Sequence, residues 1–365
     1  MPDQATPHLP ARDINNRAEK FHNINIPNNT GRPMLDAILM GIAQEECGPH
    51  KPESVLKLLA TVMKAALSED ISHNELKSHY VALHELVESD ILFKPYQHHR
   101  KITCFGSART KQDNPNYIQA KELGELAVKG GYMMITGGGP GIMQAANEGA
   151  GIEHSFGLNI TLPFEQHPNP IVAQCGRLMN YYYFYTRKLN LVKQTDALVA
   201  CPGGFGTMDE IYESITLMQT GKAALFPIIL MDAPGEDYWS TWLDFNRKTI
   251  LADGLVSPDD MSLFHHCQSA QEAFSIIEHY YSRFHSYYFH EGELVIRLNS
   301  SISEQALNQL NEDYKSILIK RDLRLQESDP TEKEALLRHL PRLVATFKHG
   351  NYAKLRQLID AINDC

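Results

Sequence analysis

No apolar run in this 365-residue sequence is long enough to cross a bilayer. The longest, around Leu225 to Met231, is about seven residues, against roughly 20 for a spanning helix. A surplus of positive charge is missing too: 34 Lys and Arg stand against 44 Asp and Glu, a formal net charge of −10. That leaves no global basic footprint for tracking along nucleic acid, so neither a membrane nor a nucleic acid is an expected partner. Cysteine is sparse. Cys47, Cys104, Cys175, Cys201, Cys267 and Cys365 are scattered without a CxxC pair, which favours free thiols in a reducing compartment over a disulfide framework. The His265-His266-Cys267 cluster has no ligand partner at metal spacing, and no metal is expected. The opening residues, MPDQATPHLPARDINN, contain no apolar signal region, which points to the cytoplasm. GxxxxGK[ST] is also absent, which argues against a nucleoside triphosphatase.

What is present suits a globular protein with a sizeable core: 43% of residues are hydrophobic and 21% charged. The length is long for one domain and short for two, so a core with appendages is expected. Residues 1–32 are polar, Asn- and Pro-rich and without periodicity, and read as a flexible arm. Over 33–99, helical spacing of Leu35, Ile38, Leu39 and Ile42, then Val55, Leu56, Leu59, Val62 and Met63, then Leu83, Leu86 and Ile91, predicts three helices. From residue 100 to 285 short apolar strands alternate with helices. KITCFGS leads to a helix over 115–129, YMMITGGGPG to one over 142–149, and FGLNITL follows. DALVACPGGFGT then enters a helix reaching about Thr220, and FPIILM precedes another from about Tyr238. This alternation predicts an α/β fold, a Rossmann-like doubly wound parallel sheet with helices on both faces. Residues 286–365 read as a small α+β extension: the strand GELVIRL, a helix from Ser303 to about Ile319, and two amphipathic segments after Pro330. For both extensions the simplest role is packing or oligomer contact.

Two glycine clusters, Gly137-Gly138-Gly139-Pro140-Gly141 and Pro202-Gly203-Gly204-Phe205-Gly206-Thr207, each follow a strand and precede a helix. Glycine allows close backbone approach, and a helix start offers unpaired N–H groups and a positive dipole end, so each cluster suits a phosphate. One such loop could be a mere turn, and the GGGPG spacing is not the dinucleotide GxGxxG. Two on one sheet point to a single nucleotide crevice. Thr207 can cap its helix or donate to phosphate. Glu210 can be a dipole partner or reciprocal cap to Thr207, or a carboxylate beside a sugar. Glu213 shares the face of Glu210, while Asp209 is expected towards solvent. The stretch Tyr181-Tyr182-Tyr183-Phe184-Tyr185-Thr186-Arg187-Lys188 reads either as core and surface faces of a helix, or as an aromatic for a purine with Arg187 on base or phosphate.

GGGPGIM, FYTRK and PGGFGTMDE together resemble the LONELY GUY (LOG) family of phosphoribohydrolases, whose pattern is GGGxxGxM, an RK pair, and PGGxGTxxE. The turn Gly106-Ser107-Ala108-Arg109 looks like the GSAR turn of the family's longer members, and GELVIRL resembles their C-terminal extension. The match covers about residues 100–285. It implies a Rossmann-like fold and cleavage of nucleoside 5′-monophosphates to free base and ribose 5-phosphate. By position it implies catalytic Arg187 and Glu210, and phosphate contacts from Gly138, Gly139, Gly141, Gly203, Gly204, Gly206 and Thr207. Gly106, Ser107 and Lys188 join the implied substrate-binding set. A homodimer or higher homo-oligomer, with the base site near the partner subunit, is implied as well. Short cytokinin-activating members carry an MHxRK-type segment, whereas Tyr183-Phe184-Tyr185-Thr186 precedes Arg187 here. That departure points to ordinary nucleotides such as AMP, with cytokinin riboside monophosphates as a second substrate class. Family members have also been labelled lysine decarboxylases, a reaction that normally needs pyridoxal phosphate on a Schiff-base lysine. The His50-Lys51 pair lies away from the glycine crevice, and no cofactor is expected. The alternative to an enzyme is a non-catalytic nucleotide carrier or sensor, against which the presence of both Arg187 and Glu210 argues.

Overall fold

Helical periodicity gives way to alternating strands and helices at Lys101, and the architecture follows that change. The computed structural model describes residues 26–45, 48–163, 167–319, 323–330, 332 and 334–365. Cys47 and the expected arm up to residue 25 lie outside them. The chain forms two units, a smaller one ending at Glu88 and a larger one from Ser89 to Cys365; the expected boundary was residue 99.

In the smaller unit α1 (Pro33–Glu45) and α2 (Pro52–Leu67) pack through Leu39, Ala43 and Leu56, with Leu35, Val55, Leu59 and Met63 around them. Pro52 opens α2, where its missing N–H has no intrahelical partner to lose. The third helix, α3 (His73–Phe93), starts in this unit and runs into the larger one.

The larger unit continues with β1 (Lys101–Phe105), α4 (Pro115–Lys129), β2 (Met133–Thr136), α5 (Ile142–Ala150), β3 (Ser155–Ile160), β4 (Leu178–Tyr181), α6 (Phe184–Gln194), β5 (Ala197–Ala200) and α7 (Phe205–Gln219). Next come β6 (Ile228–Met231), α8 (Tyr238–Phe245), β7 (Phe264–Cys267) and α9 (Ala270–Tyr280). The seven strands form one sheet in the order β4-β3-β2-β1-β5-β6-β7, and every neighbouring pair is parallel. Strands β1, β2, β3, β5 and β6 are buried along their whole length, which is why they read as continuous apolar runs instead of alternating ones. Asn114 caps α4 by accepting from Asn116 N at 2.9 Å, with Pro115 at the first helical position. From β1 the chain winds outward through β2, β3 and β4, then returns to place β5 on the other side of β1. Strand order therefore reverses between β1 and β5, and in such sheets the ligand crevice lies outside the carboxyl ends at that point.

Two strands went unread in the sequence. β4 (LMNY) and β7 (FHHC) are four-residue edge strands with partly exposed centres, so neither carries a long apolar signal. The aromatic stretch is thus split: Tyr181 belongs to β4 and is fully buried, and the helix begins only at Phe184.

The C-terminal part holds β8 (Phe284–His290), β9 (Glu293–Leu298), α10 (Glu304–Asp313), β10 (Arg324–Gln326), β11 (Arg342–Ala345) and α11 (Tyr352–Asp364). Its four strands form an antiparallel sheet in the order β10-β11-β9-β8. β8 and β9 are joined by Glu291-Gly292, both at positive φ (48° and 82°), the backbone a two-residue type I′ hairpin turn demands. The hairpin starts at Phe284, slightly before the expected boundary at 286. Buried Arg297 reaches Glu332 through Nε and Nη2 at 3.0 and 2.7 Å, and Arg342 joins them at 3.3 Å. Asn363 of α11 accepts from Arg283 N and Phe284 N and donates to Tyr280 O, closing the α9–β8 junction.

Candidate active site

Three loops leave the carboxyl ends of β1, β2 and β5, and Ser107 ties them together. Its N–H donates to Pro202 O at 3.1 Å, and its carbonyl accepts from Ile142 N at 3.1 Å. The turn at Gly106-Ser107 thus binds both glycine clusters, and all three converge on the reversal of strand order. Steric demand explains several glycines. A Cβ at Gly106 would meet Ile142 at 2.6 Å, and one at Gly141 would collide with Ser107 O; Gly141 also has φ +66°, a left-handed conformation that favours glycine. At Gly203 a Cβ would strike the Thr207 side chain, whereas Gly204 and Gly206 face open space with nothing within 4 Å. Gly138 (φ +75°) spends its N–H on Thr136 Oγ1 at 3.0 Å.

Helix α7 begins at Phe205 with Gly204 as N-cap and no side-chain cap. Thr207 is buried and its N–H bonds Gly204 O at 3.0 Å. The reciprocal capping box between Thr207 and Glu210 is therefore not formed, and no acidic residue lies in the first turn. Glu210 sits one turn further in, because the helix starts at Phe205 and not at Thr207. It is 5% exposed, and its Oε2 has no hydrogen-bond partner among the described residues. Burial pushes its carboxyl up to about 7, with Arg187 and Lys188 pulling it back down. Buried carboxylate oxygens are normally paired, and Oε2 of Glu210 is not.

Arg187, on the first turn of α6, donates from Nε to Leu158 O at 2.7 Å. Its guanidinium lies against Gly137, where a Cβ would collide with it. Burial lowers its proton affinity while the charge of Glu210 raises it. Among the described residues the two form no direct ion pair, although each feels the other's charge. Neighbouring Lys188 is held by Asp209 at 2.9 Å and Glu213 at 2.6 Å. Burial alone would lower Lys188, but these two carboxylates outweigh it and raise it. Asp209 is exposed as expected, yet it is tethered.

Four polar side chains around the loops had no signal in the sequence motifs. Asn169 is buried; its N donates to Gly138 O at 2.8 Å, and its Nδ2 to Gly138 O at 3.3 Å and Gly139 O at 3.1 Å. Its Nδ2 also reaches Asn147 Oδ1 (3.0 Å), which accepts from Thr136 Oγ1 (2.7 Å). In the second glycine loop the Tyr238 hydroxyl donates to Gly203 O. Of these, only Asn169, flanked by Pro168 and Pro170, had a local hint of a fixed turn. The histidine cluster is engaged elsewhere: His266 Nε2 meets Asp232 Oδ2 at 3.0 Å, and His265 Nε2 meets Arg356 at 2.8 Å, with burial drawing His265 down to about 4.

Residues 141–277 match the model of a family described as "Possible lysine decarboxylase". Two Arabidopsis thaliana proteins, each named cytokinin riboside 5′-monophosphate phosphoribohydrolase, are similar to the chain. One is 30% identical over 186 residues and the other 27% over 187, each alignment covering 50% of this chain and 83% of the relative. A molybdenum cofactor binding protein from Rippkaea orientalis is 20% identical over 49% of this chain and 96% of its own, with a TM-score of 0.37. No helix among the described residues is long and apolar enough to cross a membrane. With an aligned relative at 30% identity and the glycine loops, the Arg-Lys pair and the loop glutamate gathered at one crevice, the chain belongs to the LONELY GUY (LOG) family.

Proposed function

We propose that this protein hydrolyses the N-glycosidic bond of nucleoside 5′-monophosphates, releasing free base and ribose 5-phosphate. The observation that carries the reading is Glu210: a buried carboxyl with an unpartnered oxygen, raised to about 7, beside Arg187 and beneath a glycine-lined helix start. The 5′-phosphate is received by the backbone N–H groups left at the starts of α5 and α7 once Ile142 N has bonded Ser107 O and Thr207 N has bonded Gly204 O. Gly204 and Gly206 leave the room it needs. Because the N–H of Gly138 is taken by Thr136, Gly138 contributes shape instead of a donor. Lys188, engaged by Asp209 and Glu213, acts by joining α6 to α7 beside Glu210.

Breaking the bond from C1′ to the base nitrogen leaves its electron pair on the base and positive charge on the ribose. The Glu210 carboxylate stabilises that oxocarbenium-like state and holds the 2′ and 3′ hydroxyls. A water oxygen then bonds to C1′ and loses a proton, for which a carboxylate near 7 is a suitable acceptor. The departing base takes up a proton, and Arg187 stabilises the charge that develops on it without itself deprotonating. No step calls for a metal. The decarboxylase description would require a lysine poised to lose its proton for pyridoxal phosphate. Lys188 is raised, not lowered, so the crevice does not fit that group.

AMP is the first substrate to test, with cytokinin riboside monophosphates next, since the relatives bear those names. Incubation with a nucleotide panel should yield equal amounts of free base and ribose 5-phosphate. Tight nucleotide binding with no product would instead identify a carrier or sensor.

A further inference from the structure

We propose that Tyr238 and Asn169, which lie outside both glycine motifs, are positioning residues that turn the N–H groups of Gly204 and Gly139 into the crevice by holding the preceding carbonyls away from it. The proposal rests on the phosphate-site reading above and names the residues that make the loops competent for it.

A trans peptide is planar, and its C=O and N–H point in opposite directions. Fixing one carbonyl therefore fixes the next residue's N–H. The Tyr238 hydroxyl donates to Gly203 O, so the Gly204 N–H points away from Tyr238; a Cβ added at Gly204 would meet nothing within 4 Å. In the other loop, Asn169 N and Nδ2 converge on Gly138 O at 2.8 and 3.3 Å, so the Gly139 N–H faces away from Asn169. A free glycine peptide rotates easily. Were either peptide reversed, a carbonyl oxygen would confront a phosphate in place of a donor, and attraction would become repulsion.

Both anchors are themselves fixed. Asn169 Oδ1 accepts from Ile171 N and Val172 N, each at 3.2 Å, and its amide joins the Asn147–Thr136 network that also holds Gly138 N. Tyr238 opens α8, where the next N–H, that of Trp239, bonds the buried Asp232 at 3.0 Å; Asp232 is braced by His266. Two unrelated residues, 31 and 35 positions downstream of the carbonyls they hold, thus perform the same task in the two loops, Asn169 through main chain and side chain together and Tyr238 through its hydroxyl.

Tyr238→Phe removes only the hydroxyl and keeps the ring against Trp239, 4.9 Å away. The expected result is a roughly tenfold weaker dissociation constant for ribose 5-phosphate by calorimetry, the scale of one lost hydrogen bond to a charged group. The kcat/KM for AMP should fall similarly, and residual turnover of adenosine should be unaffected. Asn169→Ala, which keeps the 2.8 Å main-chain bond to Gly138 O and loses only the 3.3 Å side-chain one, should weaken ribose 5-phosphate less than Tyr238→Phe does. A purely structural role would lower the melting temperature and affect both substrates alike. If the parent binds ribose 5-phosphate and folded Tyr238→Phe binds it equally well, the positioning role is wrong. If the parent binds no ribose 5-phosphate, the phosphate-site reading fails and this proposal with it.

Discussion

Removing the charge of Glu210 while keeping its size separates its chemistry from its effect on folding. Glu210→Gln should retain nucleotide binding and lose at least about a hundredfold in turnover, the usual scale for a lost transition-state contact; steady-state kinetics beside a binding titration checks it. The same change should stabilise the protein. Burial raises the carboxyl from its ordinary 4.5 to about 7, so the folded state holds the proton more tightly than the unfolded one. Stability then falls as pH rises from about 4.5 to about 7 and stays lower above that. Glu210→Gln escapes the loss and should be more stable at pH 8 by up to about 3 kcal/mol, the difference closing below about pH 4.5 in urea unfolding. In the free enzyme kcat/KM should climb with pH through about 7 if the carboxylate is the working form; a falling limb there would make Glu210 an acid instead. Glu210 was legible because it stands at fixed spacing from the glycine loop, and Arg187 because it heads the Arg-Lys pair. The lack of a capping box at Thr207 was not legible: it depends on where α7 begins, and its N-cap is Gly204, three residues before the threonine. The roles of Asn169 and Tyr238 could not be read because the carbonyls they hold, of Gly138 and Gly203, lie 31 and 35 residues away in sequence.

At the scale of elements, the second glycine loop and the start of α7 act as one device. Gly204 has φ −87° and open space around it, so Gly204→Val is compatible with the fold yet places a branched side chain where phosphate would sit. Folding with an unchanged melting temperature and loss of measurable AMP binding are expected from calorimetry; unchanged affinity would reduce the loop to a turn. Elements whose signal is local were readable in advance. The bounds of α4 were expected at 115 and 129 and are found there, since Pro115 and Gly130 punctuate it. The buried strands β1, β2, β5 and β6 announced themselves as apolar runs. Edge strands β4 and β7 did not, because a strand paired on one side only need not be apolar throughout.

At the scale of the whole molecule, the resemblance implies at least a homodimer, and the helices flanking the crevice carry exposed apolar side chains: Phe184, Tyr185 and Leu189 on α6, Phe205 and Tyr212 on α7. Phe205, at 96% exposed, stands out in the second glycine loop, since large exposed aromatics commonly mark contact surfaces. Sedimentation should find the active species at twice the chain mass or more; full activity at 41.2 kDa would contradict it. That the sheet is parallel and doubly wound followed from the strand–helix alternation, whereas its strand order and the way the C-terminal sheet is tied to α9 by Asn363 needed the tertiary structure. The central claim is that two glycine loops and two helix starts gather one 5′-phosphate and use its binding to hold ribose against Glu210. Charge-assisted hydrogen bonds of about 1.5–3 kcal/mol each, spent away from the breaking bond, should aid turnover as well as affinity. Steady-state kinetics on AMP and adenosine with one preparation measures this directly. The expected kcat/KM for AMP is higher by about three orders of magnitude or more, whereas cleavage of adenosine within tenfold of AMP would contradict the phosphate site and with it the account.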